Sequence, residues 1–287
     1  MAEHAYAYYP GCTLHSTAKE YDISTRLVCD ALGIELHELE GWICCGASSA
    51  HTTSRLLGLA LPAHTLLQAQ KTGLPLAVPC AMCFSRLKFA IHDLEEAETR
   101  DLVSQALEQE VGGSVAVEPM LAVLASKQLD LPLARGLSGL RVACYYGCLL
   151  VKPRAVTNFD DEENPKVMEQ LMERLGAEAV AWGLKTECCG ASLPLARPDM
   201  VSQMTHRLLS LAVRSGADCV SVACPMCHSN LDMYQKAISA KYKEKIDIPI
   251  LYFTQLMGLA LGIPAAKLML NKHITDPLPL LRRKGLA

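Results

Sequence analysis

Aromatic residues are scarce in this 287-residue chain, at 5% of the total. It is therefore not built around stacking platforms for nucleic-acid bases. Charge of one sign is lacking too: 27 Lys and Arg against 30 Asp and Glu leave a formal net charge of −3. Such a balance offers no electrostatic footprint for a polyanion, and no nucleic acid is expected as a partner. Met1 to Tyr9 has no basic start leading into an apolar stretch, so no signal peptide is read there. The longest mostly apolar window, Leu251 to Ile263, falls short of the ~20 residues a membrane-spanning helix needs. No transmembrane segment is expected, and the chain reads as soluble and cytoplasmic. Two cofactor signatures are also missing: a Gly-x-Gly-x-x-Gly loop and a ferredoxin-type Cys-x-x-Cys-x-x-Cys run.

Cysteine is what the chain has in excess, with 13 residues. Ten of them form a five-cysteine pattern that occurs twice. The first copy is Cys12, then Cys44-Cys45-Gly46, then Cys80-Ala81-Met82-Cys83. The second is Cys148, then Cys188-Cys189-Gly190, then Cys224-Pro225-Met226-Cys227. In both copies 34 residues separate the cysteine pair from the Cys-x-x-Cys, while 31 and 39 separate the lone cysteine from the pair. Cys-Cys-Gly-Ala-Ser and Cys-x-Met-Cys-x-Ser-x-Leu occur in both halves. The chain is an internal duplication around two metal-binding sites. A disulfide framework belongs to small secreted domains, and adjacent cysteines strain a bond between themselves.

Both halves alternate short strands and helices. In the first, strands are expected at Ala5–Tyr9, Ile34–Leu39, Leu74–Val78 and Val115–Val117. Helices are expected from a Ser16 or Thr17 cap to Leu32, over Thr53–Lys71, Phe84–Leu107 and Pro119–Lys127. The second half repeats this with strands at Arg141–Tyr145, Ala179–Trp182, Cys219–Ala223 and Ile248–Tyr252. Its helices are expected over Pro165–Leu175, Asp199–Ser215, Met226–Ala240 and Thr254–Leu261. Strand–helix alternation implies parallel strands with right-handed crossovers, and ligands gather beyond the strands' carboxyl ends. Every cysteine station follows a predicted strand, so all converge on one edge. The expected fold is α/β, with two tandem domains, 1–135 and 136–287, each a short, mostly parallel sheet flanked by helices and related by pseudo-two-fold symmetry. Asp130–Gly139 reads as the linker, and the tail after Ile263, with its basic Arg282-Arg283-Lys284, as a solvated segment.

Thiolates are soft ligands for zinc and iron-sulfur clusters. Zinc closes a four-ligand tetrahedron, and ordinary cubanes also take four cysteines, usually in one tight run. Five cysteines per half fit neither. The pattern resembles the cysteine-rich CCG domain, and the chain over nearly its full length resembles the heterodisulfide reductase B-subunit family. The resemblance implies two noncubane [4Fe-4S] clusters, one on Cys12, Cys44, Cys45, Cys80 and Cys83, the other on Cys148, Cys188, Cys189, Cys224 and Cys227. It also implies a small-molecule disulfide substrate held between the clusters, and two partner chains, one ferredoxin-like and one flavin-bearing. Independently of the resemblance, splitting a disulfide takes two electrons, and two one-electron centres supply one each. Gly46 and Gly190 would let backbone amides approach the thiolates closely.

Three rival assignments remain: a quinone-linked succinate, lactate or glycolate oxidoreductase component, a zinc or mixed zinc/iron-sulfur scaffold, and zinc at one of the two sites. Cys29 and Cys219, outside the pattern, read as buried small hydrophobes; Cys144, four residues before Cys148, is read as core packing with a ligand role as the alternative. His15, His51 and His228 stand near motif cysteines and are candidate proton donors, with a surface or packing role as the default. Tyr8, Tyr9, Tyr145 and Tyr146 flank the lone cysteines as shields or donors. Arg86, Lys88, Lys152 and Arg154 are candidate anchors for an anionic substrate tail.

Overall fold

The computed structural model describes residues 4–47 and 49–287. Met1–Glu3, part of the segment read for a signal, and Ser48 of the first Cys-Cys-Gly-Ala-Ser lie outside the described residues. Among the described residues, two four-stranded sheets form, one in each half. The first contains β1 (Ala5–Tyr8), β2 (Glu35–Glu38), β3 (Leu76–Val78) and β4 (Val117–Pro119), and the second β5 (Arg141–Tyr145), β6 (Glu178–Ala179), β7 (Cys219–Val222) and β8 (Ile250–Tyr252). Their orders, β2-β1-β3-β4 and β6-β5-β7-β8, are the same, and every pair is parallel. The duplication thus extends from motif to topology.

Chemistry follows from that order. From β1 the chain steps outward to β2, then crosses back to β3 on the other side. The carboxyl ends of β1 and β3 therefore flank a crevice where the winding reverses, and β5 and β7 do likewise. Central strands β3 and β7 are buried throughout, as continuous apolar runs demand. Strand β2 is an edge strand with three of its four residues exposed, not half-buried as its alternation suggests.

Several helix bounds depart from expectation for identifiable reasons. Ser16 and Thr17 do not cap a helix. A short turn of helix, Gly11–Leu14, takes up this segment, Ser16 Oγ donates to Cys12 O at 2.9 Å, and the long helix spans Lys19–Ala31. The expected Phe84–Leu107 helix is two, Ala81–Asp93 and Ala97–Leu107. Acidic Asp93, Glu95 and Glu96 oppose the negative end of the first helix dipole. Arg100 Nη1 donates to the freed Leu94 carbonyl at 3.1 Å. Met226–Ala240 likewise divides at Tyr234, into Pro225–Met233 and Gln235–Tyr242. Helix Arg55–Thr72 has the Ser54 hydroxyl accepting from Leu57 N, and Gly73 ends it at φ +67°.

The tail after Ile263 is not a solvated strand of chain. Leu268, Leu270, Leu281 and Leu286 are buried, and helix Leu278–Arg283 forms. Lys284 Nζ bridges the Gly139 carbonyl (2.6 Å) and Asp218 (2.9 Å). Its basic end thus serves its own half.

The two halves meet reciprocally. Helix Lys19–Ala31 packs on helix Phe253–Ala260, and helix Met120–Ala125 on Val167–Arg174. Each pair joins a helix between the first two strands of one half to the helix that follows the fourth strand of the other, which is the signature of a pseudo-two-fold. Ser24 and Thr254 hydroxyls meet at 2.7 Å across one pair. At the other, the Arg174 guanidinium takes the Ala125, Ser126 and Leu129 carbonyls at 2.9–3.0 Å, closing the end of the neighbouring helix.

Candidate metal centre

All three cysteine stations of each half lie beyond carboxyl ends of strands, as the sequence implies. Cys12 follows β1 on the Gly11–Leu14 turn, Cys44-Cys45 follows β2, and Cys80 and Cys83 open helix Ala81–Asp93 after β3. Cys148, Cys188-Cys189, Cys224 and Cys227 follow β5, β6 and β7 in the same way.

Tyrosine hydroxyls anchor the Cys-Cys loops. Tyr9 OH donates to the carbonyl of Ile43, the residue before Cys44, at 2.7 Å. Tyr145 OH donates to the carbonyl of Glu187, the residue before Cys188, also at 2.7 Å. Tyr9 and Tyr145 are thus equivalents, three residues before each lone cysteine, and both hydroxyls are committed rather than free proton donors. Tyr8 OH is bound to Asp22, and Tyr146 OH to Glu169, which a buried Lys185 also holds at 2.7 Å.

Glycines do two jobs. Gly46 and Gly190 adopt φ +70° and +77°, and a Cβ there would meet Ala50 and Leu61 or Val201 and Met204. Their amides turn to the thiols: Gly190 N donates to Cys188 Sγ at 3.3 Å, and Gly46 N bonds Cys44. Gly11 and Gly147, which the motif did not single out as site residues, approach closest. A Cβ at Gly11 would stand 2.9 Å from Cys83 Sγ, and one at Gly147 3.1 Å from Cys227 Sγ.

No disulfide forms among the described cysteines. Within each half the sulfurs come into contact: Cys12 to Cys44 at 3.8 Å, Cys45 to Cys83 at 3.3 Å, Cys189 to Cys227 at 3.5 Å, with Cys148 beside Cys188. Cys80 and Cys224 stand near one another across the two halves, each shifting the other's titration, and the Tyr21 hydroxyl lies against the carbonyls of the residues before both, which joins the two sets. Bonds from Cys44 and Cys83 hold the Cys45 thiol at about 3. A bond from Cys148, then the Gly190 and Ala191 amides, lower Cys188 to about 6. Cys224 is lowered by Cys227 and Cys80. Neighbouring thiols raise Cys44, Cys80 and Cys83 in the first half and Cys148 and Cys227 in the second, so each half holds at least one cysteine lowered towards thiolate, the form that binds metal, among thiols that keep their protons. Cys45, Cys80, Cys83, Cys189, Cys224 and Cys227 are buried, whereas Cys12, Cys44 and Cys188 face outward. A soft, convergent five-sulfur set with backbone N–H donors fits an iron-sulfur group in both halves. A cavity of about 160 Å³ opens beside the second set, walled by Tyr146, Leu149 and Leu193 and by Ala81 and Met82 of the first half.

Other candidates fall elsewhere. Lys88 lines a separate cleft with Phe84 and Phe159, and Arg154 faces Asp161. Lys152, like Lys88 and Arg154, is absent from the walls of the cysteine cavity, which include no lysine or arginine. His15 pairs with Glu38 at 3.0 Å, and His51 is exposed. His228 is buried against Tyr252, and burial lowers it to about 3, so it is no proton donor near neutrality. Cys29, Cys144 and Cys219 are buried as expected, and desolvation pushes Cys29 up to about 12.

His228, Asp232 and His273 bring three ligand-type atoms within 4.8 Å of one another, and all three side chains are engaged in hydrogen bonds within the protein. Gln255 Oε1 accepts from Tyr252 N, so its amide nitrogen donates to Leu268 O and to His273 Nε2 at 2.9 Å. His273 Nδ1 then lies 2.8 Å from His228 Nε2, which is itself 3.1 Å from the Ile250 carbonyl. Both Asp232 oxygens accept tail amides, from Ile274 (2.7 Å) and Thr275 (2.9 Å). The cluster clasps the tail onto helix Pro225–Met233.

A paired, cysteine-rich α/β architecture of this kind defines a class of redox metalloprotein component. The chain belongs to the cysteine-rich (CCG) domain family, whose profile matches residues 6–88 and 142–232. It is 34% identical over 276 residues, 94% of this chain and 97% of the relative, to the 8-methylmenaquinol:fumarate reductase membrane anchor subunit of Wolinella succinogenes. It is 26% identical, over 95% of this chain and 94% of the relative, to the ferredoxin:CoB-CoM heterodisulfide reductase B-subunit of Methanosarcina mazei. A heterodisulfide reductase B-subunit-like protein of Archaeoglobus profundus is 27% identical over 91% of this chain and 92% of its own length. A crystal structure of a hypothetical protein from Helicobacter pylori shares the fold, with a TM-score of 0.77 at 14% identity over 96% of this chain and 53% of that one. This chain spans about half the length of that solved chain. No helix among the described residues is long and apolar enough to cross a membrane.

Proposed function

We propose that this chain is the cluster-bearing component of a multi-subunit reductase. Its two cysteine sets would hold two noncubane [4Fe-4S] clusters, and a small-molecule disulfide would be reduced where the halves meet. The single observation that carries this is the nearness of the Cys80 and Cys224 stations, with the Tyr21 hydroxyl 2.9 Å from Pro79 O and 3.5 Å from Ala223 O, which sets the two five-sulfur sets side by side. When bound, such clusters supply electrons one at a time, and two neighbouring sites together match a two-electron acceptor. The chain's own residues shape that junction. Tyr9 and Tyr145 fix the Cys-Cys loops, and Met82 and Ala81 close the second site from the opposite half. Electrons would enter from ferredoxin-like and flavin-bearing partner chains, since no dinucleotide or ferredoxin motif is present here.

A second reading, a quinol-linked component, has its own support. The cavity walls carry no cation to pair with an anionic substrate tail. The 34% identity is to a protein whose name specifies a menaquinol.

Iron, zinc and sulfide analysis of anaerobically purified protein, with electron paramagnetic resonance of the oxidised sample, tests both. About eight irons per chain and little zinc, with a signal that changes on adding thiols, supports disulfide reduction. The same iron content with no response to thiols but reduction by a menaquinol supports the second reading. Stoichiometric zinc in place of iron sinks both and leaves a scaffold.

A further inference from the structure

The two halves match closely enough that departures from equivalence stand out, and one lies directly behind the cysteines. Three residues past each Cys-x-x-Cys, one helical turn on, the first half has Arg86 and the second Asn230. Asn230 is buried, and its Nδ2 donates to the Cys189 carbonyl at 3.0 Å, a neutral brace on the Cys-Cys loop. Arg86 instead reaches the neighbouring helix, where Nη2 donates to Gly58 O at 2.8 Å. Its Nε is buried without a partner. Among the described residues no carboxylate stands within ion-pair distance of it. Its charge is felt at Cys45, the equivalent of Cys189.

A guanidinium stays protonated at any working pH, and a part-buried one without a counter-charge is costly. The cost is offset if the first site carries net negative charge. A five-thiolate iron-sulfur site does, and it gains one more negative charge with each electron. We infer that Arg86 makes the two sites inequivalent: it is the counter-charge of the first thiolate set, and the first electron to enter the protein resides there. The second site, braced by neutral Asn230, takes its electron at a more negative potential. Arg86 acts through the field at the sulfurs and is a positioning and tuning residue, not a catalytic one. The inference rests on the two-cluster reading above.

The test is a reductive titration with dithionite of the wild-type chain, Arg86→Gln and Arg86→Lys, followed by electron paramagnetic resonance and visible absorbance, with iron counted in each sample. The wild type is expected to reduce in two separated one-electron steps. In R86Q the earlier step moves to more negative potential, towards the later one, and R86K restores the separation. Loss of iron from about half the sites in R86Q, regained in R86K, supports the same role. An R86Q protein with full iron that titrates as the wild type overturns the inference, and so does equal iron loss in R86Q and R86K, which marks a packing role. A wild-type chain without iron fails the two-cluster reading itself, and the iron count separates that failure from the others.

Discussion

At the scale of single residues, contacts at the sulfurs decide what each position tolerates. Gly11 and Gly73 both sit at positive φ, +71° and +67°, yet a Cβ at Gly73 meets nothing within 4 Å. Alanine at either position costs about 1–2 kcal/mol of backbone strain. Only at Gly11 does the new methyl also press on Cys83 Sγ, at 2.9 Å. Thermal unfolding with iron analysis should therefore show G73A destabilised but fully loaded, and G11A short of about half its iron. Equal iron in the two variants would mean that the Gly11 approach is not needed by the site. A second prediction concerns Lys185, whose ammonium holds Glu169 at 2.7 Å and the Pro165 carbonyl at 2.6 Å in the interior. Lys185→Met leaves the Glu169 charge buried with only the Tyr146 hydroxyl for company. A loss of about 3–5 kcal/mol in chemical denaturation is expected. A loss under about 1 kcal/mol would show that the pair adds no more than an exposed one.

Secondary-structure elements were legible in the sequence wherever a strong local pattern agreed with its surroundings. Seven of the eight strands fall within two residues of their expected bounds, while β6 is only Glu178–Ala179, ending three residues short of the expected Trp182, and the strand-then-cysteine rule places all ten motif residues. What escaped were features set by partners distant in sequence. The break after Asp93 depends on Arg100 reaching back to Leu94, and the anchoring role of Tyr9 and Tyr145 shows only in their bonds to Ile43 and Glu187. The tail was the largest miss, because its prolines and basic end masked leucines that only tertiary packing explains. It leads to a prediction about acid. Burial holds His273 at about 4, below the ordinary value of about 6.5. Above pH 6.5 the imidazole is neutral in folded and unfolded chains alike, and the full stability is present. Between 6.5 and 4 the unfolded chain takes up a proton that the folded one refuses, so stability falls as pH falls, by about 3 kcal/mol once the folded value is reached. Urea midpoints at pH 7.5 and 5.5 should drop more for the wild type than for His273→Gln. Parallel drops would place the acid sensitivity elsewhere.

On the scale of the whole molecule, duplication is what brings ten cysteines to one place, and the junction of the halves is as much a part of the site as the motifs. Tyr21 stands at that junction: its hydroxyl donates to Pro79 O at 2.9 Å, with Ala223 O 3.5 Å away, so it touches the residues preceding both Cys80 and Cys224. Its ring stacks on Tyr252 of the other half, centroids 4.1 Å apart. Tyr21→Phe keeps the stack and removes one hydrogen bond, with an expected cost of about 1 kcal/mol. Separation of the halves is far more severe. A chain ending at residue 135 would bare the face of helix Lys19–Ala31 that buries Tyr21, Ser24, Thr25 and Val28, together with the apolar helix Met120–Ala125. Cys80 would lose Cys224, and the Ala125 and Ser126 carbonyls would lose Arg174. Each half expressed alone should then aggregate or pair with itself in size-exclusion chromatography and fail to retain iron, while co-expression of both restores loading. A monomeric half carrying about four irons would make each site self-sufficient. The contact across the axis would then serve only the passage of electrons, and the two domains would be partners rather than one folding unit.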